Sequence, residues 1–164
     1  MTPGFRRVTG AEDLDRLDAA LAALSADLGD GHPPQRDRLA RALFGPAPVA
    51  HGLLALEGGA TGATLGAALF SPVYSTVRAA PGVFVSDLWV APAARGRGLG
   101  RALLVQVAAA GGSLWGADWM KLAVYDHSAA SQAFYRRLGF HPARGMQEMR
   151  LDAPALAALT GGDG

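Results

Sequence analysis

The sequence predicts an α/β fold, a mixed sheet flanked by helices, and three observations carry that prediction. Leucines recur at helical spacing near the N-terminus, at Leu14, Leu17, Leu21, Leu24 and Leu28, with Asp and Arg between them. Apolar runs of strand length, bounded by glycine and proline, follow at Val49–Leu56, Thr64–Phe70, Val83–Val90 and Met120–Tyr125. From Val83 onward the pattern alternates strand, helix, strand, helix, the order of layered α/β domains. The 164 residues suffice for one domain with a real core. No repeat or long linker divides them, so a single domain over 1–164 is expected.

Each element has its own local reason. Phe5–Val8 reads as a short first strand. The leucine helix starts behind Thr9 or Gly10 with acidic Glu12 and Asp13, which suit a positive helix end, and stops at Gly29. The breaker Gly29-Asp30-Gly31-His32-Pro33-Pro34 leads to a second helix from about Pro34 to Phe44, closed by Gly45-Pro46. Val49–Leu56 and Thr64–Phe70 form a hairpin across the turn 57–62. Ser71–Gly82 reads as a loop containing Tyr74 and Arg78. Val83–Val90 carries the strongest strand signal. A helix from Arg101 to about Ala110, a buried-type strand at Met120–Tyr125 and a helix from Ser128 to Leu138 stopped by Gly139 follow. Met146–Leu151 reads as a last strand and Ala153–Leu159 as a terminal helix.

Composition excludes several function classes. There is no cysteine, hence no thiol nucleophile or thiolate metal site, and the four histidines lack metal-ligand spacing, so no metal is expected. A net charge of +1 and a pI near 8.3 give no electrostatic case for nucleic acid. No apolar run is long enough to span a membrane and Met1–Arg7 has no signal-peptide core, which points to the cytoplasm. The absence of Ile and Asn, with a lone Lys121 beside many arginines, reads as the coding bias of a GC-rich bacterium.

The most informative stretch is Arg95-Gly96-Arg97-Gly98-Leu99-Gly100, between a strand ending Val90-Ala91-Pro92 and a helix. Such a turn offers unobstructed backbone N–H groups at the positive end of a helix, a site for a phosphate-bearing ligand. A dinucleotide fingerprint requires glycine where Arg101 stands, and a P-loop requires Gly-Lys-Ser or Gly-Lys-Thr, which does not occur. What remains, Arg95-x-x-Gly98-x-Gly100, resembles the signature of the GCN5-related N-acetyltransferases (GNAT), whose turn binds the pyrophosphate of acetyl-CoA. Ser131-Gln132-Ala133-Phe134-Tyr135-Arg136-Arg137-Leu138-Gly139-Phe140 resembles the later helix of that family, with its Phe-Tyr-x-x-x-Gly-Phe. Together, in order, the two motifs make the resemblance specific from Val83 to Phe140.

The resemblance implies a mixed central sheet of six or seven strands with a V-shaped opening between the fourth and fifth. It implies acetyl-CoA as cofactor and direct acetyl transfer to a primary amine, a small cationic amine by a looser similarity to the diamine and polyamine branch. A non-catalytic acyl-CoA-binding module, or acetylation of an aminoglycoside or protein N-terminus, are the alternatives. It places the cofactor against the backbone of Leu88, Trp89 and Val90 and on Arg95, Gly96, Arg97, Gly98, Leu99, Gly100 and Arg101. It adds Ser128 and Ser131, where the family often carries Asn and Ala. Tyr135 takes the role of proton donor to the leaving thiolate; the plain reading is a core tyrosine with a polar tip. Asp87, an acid inside an apolar strand, is the candidate to recruit the amine and accept its proton; the plain reading is a structural carboxylate. His127, Tyr74 and Glu148 are weaker candidates near the acceptor, and His32 and His51 carry no assignment. Family members commonly pair as homodimers.

Overall fold

The computed structural model describes residues 3–59 and 61–161. The chain forms two compact units, residues 1–125 and 126–164.

The first unit is built on a five-stranded mixed sheet. Strands β1 (Gly4–Arg7), β2 (His51–Leu56), β3 (Thr64–Ser75) and β4 (Ala80–Val90) are antiparallel neighbours in that order. β5 (Trp119–Leu122) joins β4 in parallel. Helices α1 (Ala11–Leu28) and α2 (Arg36–Phe44) cover one face, and α3 (Leu99–Trp115) covers the other. The two faces are marked by glycines: a side chain at Gly52 would strike Leu17 of α1, and one at Gly66 would strike Leu103 of α3.

Helix α1 forms where its leucines align. Leu14, Leu17 and Leu21 are buried, whereas Leu24 and Leu28 lie half-buried toward its C-terminal end. Gly29 closes it in a left-handed conformation, with Asp30 N–H donating to the Ser25 carbonyl at 2.8 Å, as a glycine stop requires. The buried Asp13 pairs with Arg6 and accepts from Thr9 N–H, which ties α1 to β1. Helix α3 lies close to the sheet because Gly111 has no side chain; a Cβ there would come within 2.2 Å of Val83. Leu99, Leu103, Leu104 and Val107 fill the space between them.

Two expectations need correction. Ser71–Gly82 is not a loop: β3 continues to Ser75 and pairs with β4 from Ala80, leaving only residues 76–79 as a turn. Pro72 masked the extension, yet it sits opposite Val83 within the hairpin. The sheet has five strands among the described residues, not six or seven, and residues 146–151 form no strand. Met146, Met149 and Leu151 are spaced three and then two apart, so the segment has no alternating face to bury.

The second unit holds α4 (Ala129–Arg137) and α5 (Ala153–Leu159), joined by an irregular segment. No helix among the described residues is long and apolar enough to cross a membrane.

Candidate active site

The glycine-rich turn leaves β4 directly. Ala91 N–H donates back to the Leu65 carbonyl at 2.9 Å, a short turn over Pro92–Ala94 follows, and buried Ala94 anchors it. Gly96 and Gly98 then adopt φ of 75° and 78°, a left-handed conformation that a side chain disfavours. No atom stands within 4 Å of where a Cβ would be at either glycine, so the concave side is open. Gly98 is the N-cap of α3, and no side chain caps it. The first helical bond runs from Ala102 N–H to the Gly98 carbonyl at 3.0 Å. The N–H groups of Leu99, Gly100 and Arg101 precede it and have no intrahelical acceptor. Those donors, the open cradle and the exposed Arg97 and Arg101 fit a pyrophosphate.

Arg95 is differently employed. Its Nε donates to the Val90 carbonyl at 2.9 Å and its Nη2 to Asp27 Oδ2 of α1 at 2.5 Å. The arginine expected to face phosphate thus holds the turn against β4 and α1.

Strand β4 supplies the rest. Its pairing with β5 ends at Val85–Leu122, so Ser86–Val90 keep only β3 as a paired neighbour within this unit. This is where the expected opening between the fourth and fifth strands lies. Leu88, Trp89 and Val90 lie on this stretch, half-buried.

A bulge sets the direction of Asp87. Leu69 pairs with Asp87 and Phe70 with Val85, so Ser86 is an extra residue on β4. Val83 and Val85 face α3, as the contact of Val83 with Gly111 shows. Strict alternation would send Asp87 and Trp89 to the same side. The extra residue shifts the phase by one, and Trp89 instead borders a cleft of about 490 Å³ against Glu12, Asp15, Arg16 and Ala20 of α1. Asp87, two residues earlier, shares that face. Ser86 Oγ donates to the Leu69 carbonyl at 3.1 Å and secures the bulge.

Burial raises the Asp87 pKa above the usual carboxylate value; a hydrogen bond from Ser86 and the charge of His32 draw it partly back. His32 is the residue that sequence reasoning left unassigned. Its ring lies in the loop between α1 and α2, with Nε2 3.3 Å from Asp18 Oδ1 and Nδ1 3.4 Å from Ser25 Oγ. His51, the other unassigned histidine, packs against Phe70 and Trp115; its pKa is lowered by burial and by Arg7. Tyr74 is exposed, paired with Pro81 at the far end of the β3–β4 hairpin from the turn. No group of three His, Asp or Glu among the described residues is arranged to hold a metal.

In the second unit, Ser128 precedes α4 and its carbonyl receives Gln132 N–H at 3.0 Å. Ser131 lies in the first turn, half-buried. The Tyr135 ring packs between Phe134 and Phe140, at centroid distances of 5.1 and 5.6 Å, and burial raises its pKa. Gly139 lets Phe140 turn back, its N–H donating to the Tyr135 carbonyl at 3.1 Å. His127 lies in the turn before α4, and Glu148 in the irregular segment after it.

Comparison with known proteins places these features in a family. The model of the Acetyltransferase (GNAT) family matches residues 17–140. No curated protein matches the chain. Among solved structures, an integron cassette protein from the mobile metagenome of V. cholerae is similar with a TM-score of 0.77 and 20% identity, over 98% of both chains. An aminoglycoside acetyltransferase from an uncultured soil metagenomic sample gives a TM-score of 0.73 and 19% identity, over 93% of this chain and 100% of that one. AAC(6')-Iy, in complex with the bisubstrate analog CoA-S-monomethyl-acetylneamine, gives 0.72 and 21%, over 93% and 100%. At these identities the likeness is one of fold.

Proposed function

Because this chain belongs to the Acetyltransferase (GNAT) family, and is on that ground an N-acetyltransferase that uses acetyl-CoA, we propose that its acceptor is a small cationic primary amine received by Asp87. The observation that carries this reading is the bulge at Ser86. It turns a half-buried carboxylate out of the α3 core toward α1, on the stretch of β4 that β5 leaves unpaired.

The cofactor supplies an activated acyl thioester. Leu99, Gly100 and Arg101 N–H, with Gly96 and Gly98 clearing the approach and Arg97 adding charge, would hold its pyrophosphate. Leu88, Trp89 and Val90 would offer backbone groups to its amide-bearing arm. Ser128 and Ser131, near the start of α4, complete the proposed cofactor contacts. Arg95 joins them on releasing Asp27.

Asp87 pairs with the ammonium and takes one of its protons, directly or through a water, because only the neutral amine can attack an acyl carbonyl. With acetyl-CoA bound, the N–C bond would form as the C–S bond breaks, Tyr135 would give its phenolic proton to the departing thiolate, and the second proton shed by the acylated nitrogen would pass through water to restore the phenol. No covalent acyl-enzyme is involved, in keeping with a chain that lacks cysteine.

We propose further that residues 1–164 act as one acetyltransferase domain, which the reach of the family match across both units supports. A bacterial cytoplasmic setting and a homodimer belong to the same proposal. The test is a thiol-release assay with acetyl-CoA across polyamines, aminoglycosides, amino acids and N-terminal peptides. Turnover on small cationic amines is expected. Binding of acetyl-CoA with no turnover on any amine would make the protein a non-catalytic binding module.

A further inference from the structure

We propose that residues 27–32, the chain leaving α1, form a strap across the opening beside β4, and that the Tyr125–Asp30 hydrogen bond is its clasp, positioning the strap so that it limits the acceptor's access to Asp87. Its bearing on the acceptor rests on the reading of Asp87 as the amine's partner; the strap itself does not.

Two contacts fix where the strap runs. Arg95 Nε donates to the Val90 carbonyl and its Nη2 reaches Asp27 Oδ2 at 2.5 Å, so Asp27 is tied to the end of β4. The Tyr125 hydroxyl, three residues past the end of β5, donates to Asp30 Oδ2 at 2.8 Å, so Asp30 is tied to the chain on the other side. Asp27 and Asp30 are three residues apart, a span of at most about 11 Å. The strap therefore bridges the stretch over which β4 and the chain leaving β5 part.

Asp87 lies within that stretch. It stands between Val85, the last residue of β4 to pair with β5, and Val90, where Arg95 is anchored. Its cross-strand partner Leu69 packs against the core that α1 covers, and directly paired residues share a face of the sheet. The carboxylate therefore points to the side from which α1 and the strap approach.

The strap is free to turn at Asp30 and is held beyond it. Gly29 and Gly31 flank Asp30; Gly29 has a φ of 76°, and no atom stands within 4 Å of where a Cβ would be at either glycine. Such unhindered positions absorb a change of backbone direction. Past them, His32 is set against α1, with Nε2 3.3 Å from Asp18 Oδ1 and Nδ1 3.4 Å from Ser25 Oγ. Pro33-Pro34 stiffen the entry to α2. Tyr125 and Asp30 are both exposed, so their bond competes with water and opens readily.

The absence of native cysteine permits a direct test. Asp87→Cys introduces a single thiol behind the strap, and its rate of reaction with N-ethylmaleimide reads access. Adding Tyr125→Phe or Asp30→Ala is expected to raise that rate by about two- to tenfold, the population shift that one exposed hydrogen bond supplies. Asp30→Asn, whose amide oxygen still accepts the hydroxyl, is expected to keep the original rate. With Asp87 intact, Tyr125→Phe should raise kcat/KM for a bulky aminoglycoside relative to a slim polyamine by a similar factor, with kcat for the polyamine held. A thiol rate unmoved by the clasp variants overturns the inference, and if one of them fails to fold the other decides. So does a rise in Asp30→Asn equal to that in Asp30→Ala. A raised thiol rate with an unmoved ratio of the two amines overturns the strap's bearing on the acceptor. If the thiol rate rises as expected but no amine is acetylated, the strap stands and the amine reading fails.

Discussion

Asp87 stands where it does at a cost to the fold. Burial holds its pKa above the ordinary carboxylate value, so the unfolded chain releases this proton at lower pH than the folded one. A carboxylate with a raised folded pKa therefore weakens folding as pH rises past its unfolded value, and the penalty is complete above the folded value. Asp87→Asn is expected to leave the melting temperature at pH 7 equal to or above that of the wild type, while kcat/KM for amines falls by about 10²-fold or more. Acetyl-CoA affinity, read by calorimetry, should not change. Tyr135 gives the complementary case. Burial pushes its phenol above the usual value of 10, so it stays a proton donor across the whole neutral and mildly alkaline range. Tyr135→Phe should lower kcat and kcat/KM alike by ~10²–10⁴-fold with cofactor affinity intact. A variant that melts early but turns over normally per folded molecule would make Tyr135 a packing residue. Asp87 was legible in the sequence because a charge interrupts an apolar strand. The partner of His32 was not, because Asp18 lies fourteen residues away and only the tertiary fold brings its carboxylate to the ring.

Elements with strong internal periodicity were the legible ones. α1 is written in its leucines and its glycine stop, and α4 in the residues before Gly139. The hairpin of β3 and β4 was less so, since Ser71–Ser75 becomes strand only by pairing with Ala80–Phe84. The bulge at Ser86 was invisible for the same reason, because register belongs to two strands and not to one. The start of α3 allows a direct test. Gly98 has open space around it but a φ of 78°, so Gly98→Val should cost about 1–2 kcal/mol through backbone conformation alone. It should also lower acetyl-CoA affinity by placing a side chain on the open side of the turn. Gly98→Asn, which tolerates that conformation, should keep most of the stability and lose the affinity. Unchanged cofactor binding in both variants would reduce the turn to a helix start.

Across the molecule, the turn and α1 are joined by Arg95 and Asp27, both largely exposed. If Arg95 must leave Asp27 to reach a phosphate, Asp27→Ala should tighten acetyl-CoA binding by a modest two- to fivefold, about 0.4–1 kcal/mol, with the gain shrinking in high salt. Weaker binding in that variant would mean that the ion pair shapes the turn for the cofactor rather than competing with it. The extra residue in β4 carries a consequence of another kind, for inheritance. Ser86 is exposed and its side chain reaches only the Leu69 carbonyl and the adjacent Asp87, so most single-codon substitutions there should be survivable. Losing the codon altogether is different. Every side chain from Asp87 to Val90 would swap sides, burying a carboxylate against α3 and turning Leu88 and Val90 toward α1. In a scan of all substitutions and in-frame deletions, the strand should tolerate changes of letter at this position and reject changes of length, so that its evolution is free in spelling and frozen in count.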